Sequence, residues 1–187
     1  MLNQRKYITS LVFVALFAAL ICAGSFIAVP LGPVPIVLQN FFALLSGLVL
    51  GPFLGSAAVS LFIASGAIGL PVFANNTMGF ARIMGPSGGY IFGYLLAAFT
   101  AGLIIGVPRQ AEKIKIWRLA FAAGLGMLAI YVPGLIRLKF TLNLNWPQTF
   151  ATGFIPFLIG DAIKAVVAAI ITPRLRKTAA RQLTMSN

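Results

Sequence analysis

Apolar residues run along this chain in long blocks, without the strict alternation of a half-buried strand or the single stripe of a soluble amphipathic helix. Hydropathy and the Gly/Pro breaks between blocks predict six membrane spans, over residues 8–29, 39–50, 55–70, 89–107, 119–138 and 154–171. The second and third are short and are separated only by Gly51-Pro52-Phe53-Leu54-Gly55, which reads as a tight turn and leaves open a single broken span. The expected fold is an all-α integral membrane protein, one domain of six transmembrane helices over residues 1–187.

Composition strengthens this reading. The chain is 60% apolar and 9% charged, with a mean hydropathy of +1.00, whereas soluble domains carry about 25% charged residues. The net charge of +12 would point to nucleic acid in a soluble protein, but most of the bases fall in three short stretches. These are Arg5 and Lys6; Arg109, Lys113, Lys115 and Arg118; and Arg174, Arg176, Lys177 and Arg181. Six spans put all three stretches on one side, so they read as topology markers that place both termini in the cytoplasm. Contact with anionic headgroups of membrane lipid is a secondary role for them, and no nucleic-acid partner is expected. Arg137 and Lys139, near the other side, count against this orientation. Histidine is absent and Cys22 is alone, which excludes an internal disulfide and the usual zinc and His/Cys catalytic patterns. The stretch around Cys22 faintly resembles a lipoprotein signal, but Ile21 is too large for that processing site and the first segment reads as a retained span.

Three loops then face outward, over residues 30–38, 71–88 and 139–153, and none contains an acid. The first two are rich in Gly and Pro yet apolar. Such loops either fold back to line a cavity at membrane depth or act as plain connections.

Within the last span stand Asp161 and Lys164. Two charges at mid-span cost roughly 5 to 7 kcal/mol on the insertion scale, against roughly 3 to 6 from the ten Leu, Ile, Val and Phe residues around them. The helix therefore needs neighbours, with its polar face inward. Three residues apart, the two side chains share that face with Phe157, Ala165 and Ala168. They either neutralise each other as a structural ion pair or bind a small polar ligand, Asp161 accepting N–H groups and Lys164 donating. Further candidate ligand contacts are Gln39 at the mouth of the second span, Asn75 and Asn76 in the second outward loop, Arg82 and Tyr90. Arg82 has the alternative of snorkelling to headgroups. In the first span Ala15, Ala19 and Ala23 recur every fourth residue beside Gly24, a spacing that admits a closely packed partner helix but is also common in spans generally.

Five motifs carry a resemblance. GPVPIVLQN from Gly32, LVLGPFLG from Leu48, GAIGLPVFA from Gly66, MGPSGGYIFGY from Met84 and GDAIK from Gly160 resemble, in order, the BioY family, the biotin-specific substrate-binding (S) components of energy-coupling factor (ECF) transporters. The resemblance implies six helices with a biotin pocket near the outer face, closed by the outward loops. It also implies coupling through the alanine stripe to a transmembrane T component bound to two ATPases. Asp161 and Lys164 match the family's acidic and basic ligand contacts, and an asparagine of the second outward loop, Asn75 or Asn76, is expected to join them. Biotin's ureido ring offers two N–H donors and a carbonyl, and its tail a carboxylate, so an acid, a base, amides and aromatic walls suit it. Asp161 is then expected on a ureido N–H, with Lys164 on the ureido oxygen or the carboxylate.

No catalysis is expected. The GPSGG beginning at Gly85 lacks the lysine of a P-loop, so ATP hydrolysis falls to partners. An S component for another vitamin is the nearest rival. A membrane-embedded transferase with Asp161 as base is the more distant one, lacking any nucleophile beside a base.

Overall fold

The computed structural model describes residues 2–30, 32–110 and 113–184. Its helices are α1 (Leu2–Ala23), α2 (Gln39–Leu50), α3 (Pro52–Ala67), α4 (Phe80–Met84), α5 (Gly88–Ile105), α6 (Ile116–Leu142), α7 (Trp146–Gly153) and α8 (Leu158–Thr184). Among the described residues, four helical stretches are long and apolar enough to cross a membrane, and α2 and α3 are shorter apolar helices. Together α1, α2, α3, α5, α6 and α8 make a six-helix membrane bundle. Large apolar side chains such as Phe53, Val132, Ile159 and Ile170 remain exposed on its outside, as hydrocarbon solvent requires.

Close helix approach depends on small residues. A Cβ at Gly47 of α2 would collide with the Ala98 carbonyl oxygen of α5, and one at Gly55 of α3 would lie 2.7 Å from the Gly47 backbone. Three helices therefore meet backbone to backbone. A single residue, Gly51, joins α2 to α3 with φ of 86°. That left-handed geometry favours glycine, and Pro52 then opens α3 at a position where no N–H is needed. The expected turn of residues 51–55 is thus shorter than predicted, and Pro52 to Gly55 belong to the helix.

The structure corrects the sequence expectation in three further places. The first helix ends at Ala23, not at residue 29. Ala28–Val29 (β1) instead pairs antiparallel with Ile36–Val37 (β2), Ala28 opposite Val37. Hydropathy does not separate an apolar strand from a helix end, but the prolines at 30, 33 and 35 disfavour helix between β-branched Val29 and Ile36. The third outward loop is largely helical. The α6 helix continues to Leu142 and stops at Asn143, which adopts the left-handed conformation with φ of 52°. Asn145 and Gln148 then form a reciprocal capping box that starts α7. Finally, α8 runs well past residue 171 and carries the last basic stretch as helix.

Arg176 of that stretch has a structural role. It is buried, and its guanidinium donates from Nη1 to the carbonyls of Leu48 (2.8 Å) and Gly106 (3.1 Å) and from Nη2 to that of Val107 (3.0 Å). A cation thus sits on the carbonyl-rich ends of α2 and α5, where helix dipoles favour it.

Gly47→Ala is expected to lower the thermal midpoint of the detergent-purified protein, with a stability loss of about 1–3 kcal/mol from overpacking. Gly124→Ala, where an added Cβ meets nothing within 4 Å, is expected to leave it unchanged. Equal midpoints for the two variants would contradict the backbone contact.

Candidate ligand-binding site

Asp161 closes the first turn of α8, and Lys164 follows three residues later on the same face. Their side chains form an ion pair of 3.0 Å, Lys164 Nζ to Asp161 Oδ1. Neither is left to the other alone. The Lys164 ammonium also donates to the Val37 carbonyl of β2 (2.8 Å) and to Asn40 Oδ1 of α2 (2.9 Å), so all three of its donors are engaged. Asp161 Oδ1 further accepts from Asn40 Nδ2 (2.8 Å), and Oδ2 accepts from the Tyr131 hydroxyl of α6 (2.5 Å). The hairpin, α2, α6 and α8 therefore converge on one charge pair.

The network borders a cavity of about 30 Å³ lined by Val34, Pro35, Asn40, Tyr90, Tyr94, Tyr131, Phe157, Asp161 and Lys164, among others. A neighbouring cavity of about 20 Å³ shares Val34, Pro35, Val37, Tyr90 and Tyr94 and adds Gln39, Arg82 and Ser87. Each holds about one water. Ligand pockets usually measure about 300 Å³ or more, so a small-molecule ligand has to part these walls. The walls are aromatic. Tyr131 stands edge-on to Tyr90 (centroids 6.2 Å apart) and to Phe154 (4.7 Å).

The structure brings together some of the sequence-predicted residues and not others. Asp161 and Lys164 are in direct contact, and the Tyr90 ring lines both cavities while its hydroxyl donates to the Gly153 carbonyl (2.8 Å). Gln39 is buried, and its Nε2 donates to the Val72 carbonyl (2.8 Å), tying α2 to the second loop. Arg82, half-buried on α4, lines the second cavity, and its burial draws its pKa below the usual range. Asn75 and Asn76 are exposed, with φ of 59° and 55°, and line neither cavity.

Three contributors escaped sequence reasoning. Asn40 follows Gln39 directly, and one position on a helix turns the side chain by about 100°, so it faces the ion pair while Gln39 faces the loop. The signal for it was a second amide beside the first in an apolar run. Tyr131 was visible as a hydroxyl in mid-span that needs a partner. Ser87 carried no signal; its buried Oγ has no hydrogen-bond partner among the described residues and it lines the same cavity as Arg82.

Because Lys164 and Asp161 satisfy each other, removing one strands the other. Lys164→Met is expected to destabilise the ligand-free protein by about 3–5 kcal/mol, and the double variant Asp161→Asn/Lys164→Met by clearly less. Thermal unfolding in detergent reads this difference. A double variant at least as unstable as Lys164→Met would mean that the charges are not coupled.

The chain as a whole is similar to known proteins. Residues 2–181 match the model of the BioY family. A Thermotoga maritima protein named "Biotin transporter BioY" is 45% identical over 168 residues, covering 89% of this chain and 95% of that one. A Pyrococcus horikoshii protein named "Probable biotin transporter BioY" is 42% identical, covering 87% and 93%. A solved structure described as the S-component for biotin from an ECF-type ABC transporter superposes with a TM-score of 0.81 at 33% identity, covering 94% of this chain and 93% of its own. With its ion pair set among aromatic walls in a six-helix bundle, and with this likeness along nearly its full length, the chain belongs to the BioY family.

Proposed function

We propose that this chain is the biotin-binding, membrane-translocating S component of an energy-coupling factor transporter, taking up the vitamin with high affinity and without catalysis of its own. The observation that carries this reading is the Asp161–Lys164–Asn40 network beside a two-part cavity, in a chain of the BioY family. Asp161 and the Asn40 carbonyl oxygen offer acceptors for the two ureido N–H groups, and Lys164 a donor for the ureido oxygen. The aromatic walls fit the apolar sulfur ring. The second cavity supplies Arg82 and the unpartnered Ser87 hydroxyl for the carboxylate of the tail. Asn75 and Asn76, next in sequence to cavity-lining Ala74, join the site when the loop closes over the ligand, and Gln39 and Tyr90 hold its wall.

The protein works in a bacterial or archaeal cell membrane with both termini in the cytoplasm, an orientation supported by the clustering of Arg109, Lys113, Arg176, Lys177 and Arg181 about one crevice. Its partners are a transmembrane T component and two ATPases. Ala15, Ala19 and Ala23 are all exposed on α1, which fits a docking stripe for a helix of the T component.

Equilibrium titration of purified, ligand-free protein with biotin tests the binding assignment. Tight binding is expected, weakened at least about thirtyfold in Asp161→Ala, Lys164→Ala and Asn40→Ala variants, since in each case a buried charge loses a hydrogen-bond or ion-pair partner. Survival of tight binding in all three would return the pair to a purely structural role. No binding by the parent, with binding of another vitamin from a panel, would keep the S component and change its cargo.

The docking stripe has its own test. Ala19→Trp is expected to reduce copurification of the T component and ATPases while leaving biotin affinity within about twofold, because the bulk falls on an exposed helix face. Undiminished copurification would remove α1 from the interface.

A further inference from the structure

The largest group of cations in the structure lies far from the ligand site. Asp161 and Arg176 are fifteen residues apart on α8, about 22 Å along the helix. There the end of α8 and the described residues between α5 and α6 line a crevice of about 520 Å³, formed by Arg109, Gln110, Lys113, Ile114, Pro173, Arg176, Lys177 and Arg181. Five of those eight side chains are cations and none is an acid. Glu112, one of only two acids in the chain, lies outside the described residues. Counting side chains, the crevice keeps an excess of four positive charges even with Glu112 set against it, five less one.

Arg176 is occupied with the carbonyl ends of α2 and α5 and forms the floor. Arg109, Lys113, Lys177 and Arg181 are exposed and form the rim. Such a concentration of like charge is costly unless an anion shares it. Its surroundings identify the kind of anion. Trp117, 63% exposed at the start of α6, stands with Lys113, Lys115 and Arg118 around an adjoining hollow. Tryptophan and basic residues at the end of apolar helices mark the membrane–water interface. Exposed Val107, Ile116 and Leu175 border the same region and offer an apolar surface for hydrocarbon chains. Basic pockets between membrane helices at this level suit phospholipid headgroups.

We infer that this crevice is a binding site for the headgroup of an anionic phospholipid, with the phosphodiester between Arg109, Lys177 and Arg181 and the acyl chains against the outer faces of α6 and α8. The site is separate from the proposed biotin pocket and does not depend on it. It makes the identity of the lipid beside α8 a property of the protein and not of chance.

Native mass spectrometry of the full-length protein, released from micelles doped with equal amounts of phosphatidylglycerol and phosphatidylcholine, tests the inference. Retained phosphatidylglycerol is expected to exceed phosphatidylcholine at least about tenfold, since each surface cation favours anionic lipid by about fivefold. The triple variant Arg109→Gln/Lys177→Gln/Arg181→Gln is expected to lose that preference, and Lys177→Arg to keep it, with both variants eluting from size exclusion like the parent. If the triple variant does not fold, Lys177→Gln and Arg181→Gln taken singly are each expected to lower the preference severalfold. Equal retention of the two lipids by the parent, or an unchanged preference in the charge-removal variants, would overturn the site. Displacement of phosphatidylglycerol by glycerol 3-phosphate at equal concentration would overturn the lipid assignment in favour of a soluble phosphate ester. No lipid preference, together with loss of copurifying partner subunits in the triple variant, would overturn it in favour of a protein surface.

Discussion

A carboxylate and an ammonium 3.0 Å apart inside an apolar bundle are tolerable only if every remaining lone pair and proton is also engaged. Much of the architecture follows from that demand. Lys164 needs a backbone carbonyl, and Val37 supplies it only because β2 folds back against α8. Asp161 needs two further donors, and Asn40 and Tyr131 supply them from α2 and α6. The hairpin, in turn, takes up the depth that α2 leaves free. Twelve residues of α2 extend only about 18 Å, well short of the roughly 30 Å of a hydrocarbon core. Irregular backbone therefore stands at membrane depth, where its polar groups must be satisfied by protein.

The two ends of the bundle are built differently. At one, Gly47, Gly51 and Gly55 let α2, α3 and α5 touch through their backbones, and Arg176 ties α8 to the ends of α2 and α5. Such contacts have little slack, because neither backbone nor a guanidinium shared among three carbonyls adjusts without losing a partner. At the other end the contacts are side-chain hydrogen bonds, aromatic edges and a short two-stranded hairpin around two small cavities. The two cavities lie at that more adjustable end, and α8 carries residues of both ends.

The bundle was legible in the sequence because hydrocarbon solvent leaves long apolar blocks as the main signal, and the charge pair because its insertion cost stands out against that background. Finer features were lost for identifiable reasons. The hairpin at Ala28–Val29 and Ile36–Val37 is as apolar as a helix end, so hydropathy merged part of it with the first span. Hydropathy does not report α7, whose mark in the sequence is Asn145 and Gln148 at the spacing of a helix-start signature. Asn40 was overlooked because Gln39 had already filled the role of amide at the mouth of α2, yet only geometry decides which of two adjacent side chains turns inward. Asn75 and Asn76 mark the opposite case. Their paired amides in an apolar loop, together with the family resemblance, mark them as ligand contacts, whereas their left-handed backbone and exposure also suit them to a plain turn.

The closed network also bears on selectivity. The polar atoms that would meet a ureido ring already bind one another, so a ligand gains only what exceeds the contacts it displaces. A molecule that supplied only part of the matching set would leave Asp161 or Lys164 buried without a full complement of partners, at a cost larger than that of a missing apolar contact. One that returned two donors, an acceptor and an anion in the right order would restore every bond and add the burial of its rings among Tyr90, Tyr94, Tyr131 and Phe157. Discrimination then comes less from the strength of any single contact than from the penalty for an incomplete exchange. As the proposed ligand site, a self-paired network of this kind would exclude polar near-matches without needing a large cavity before the ligand arrives.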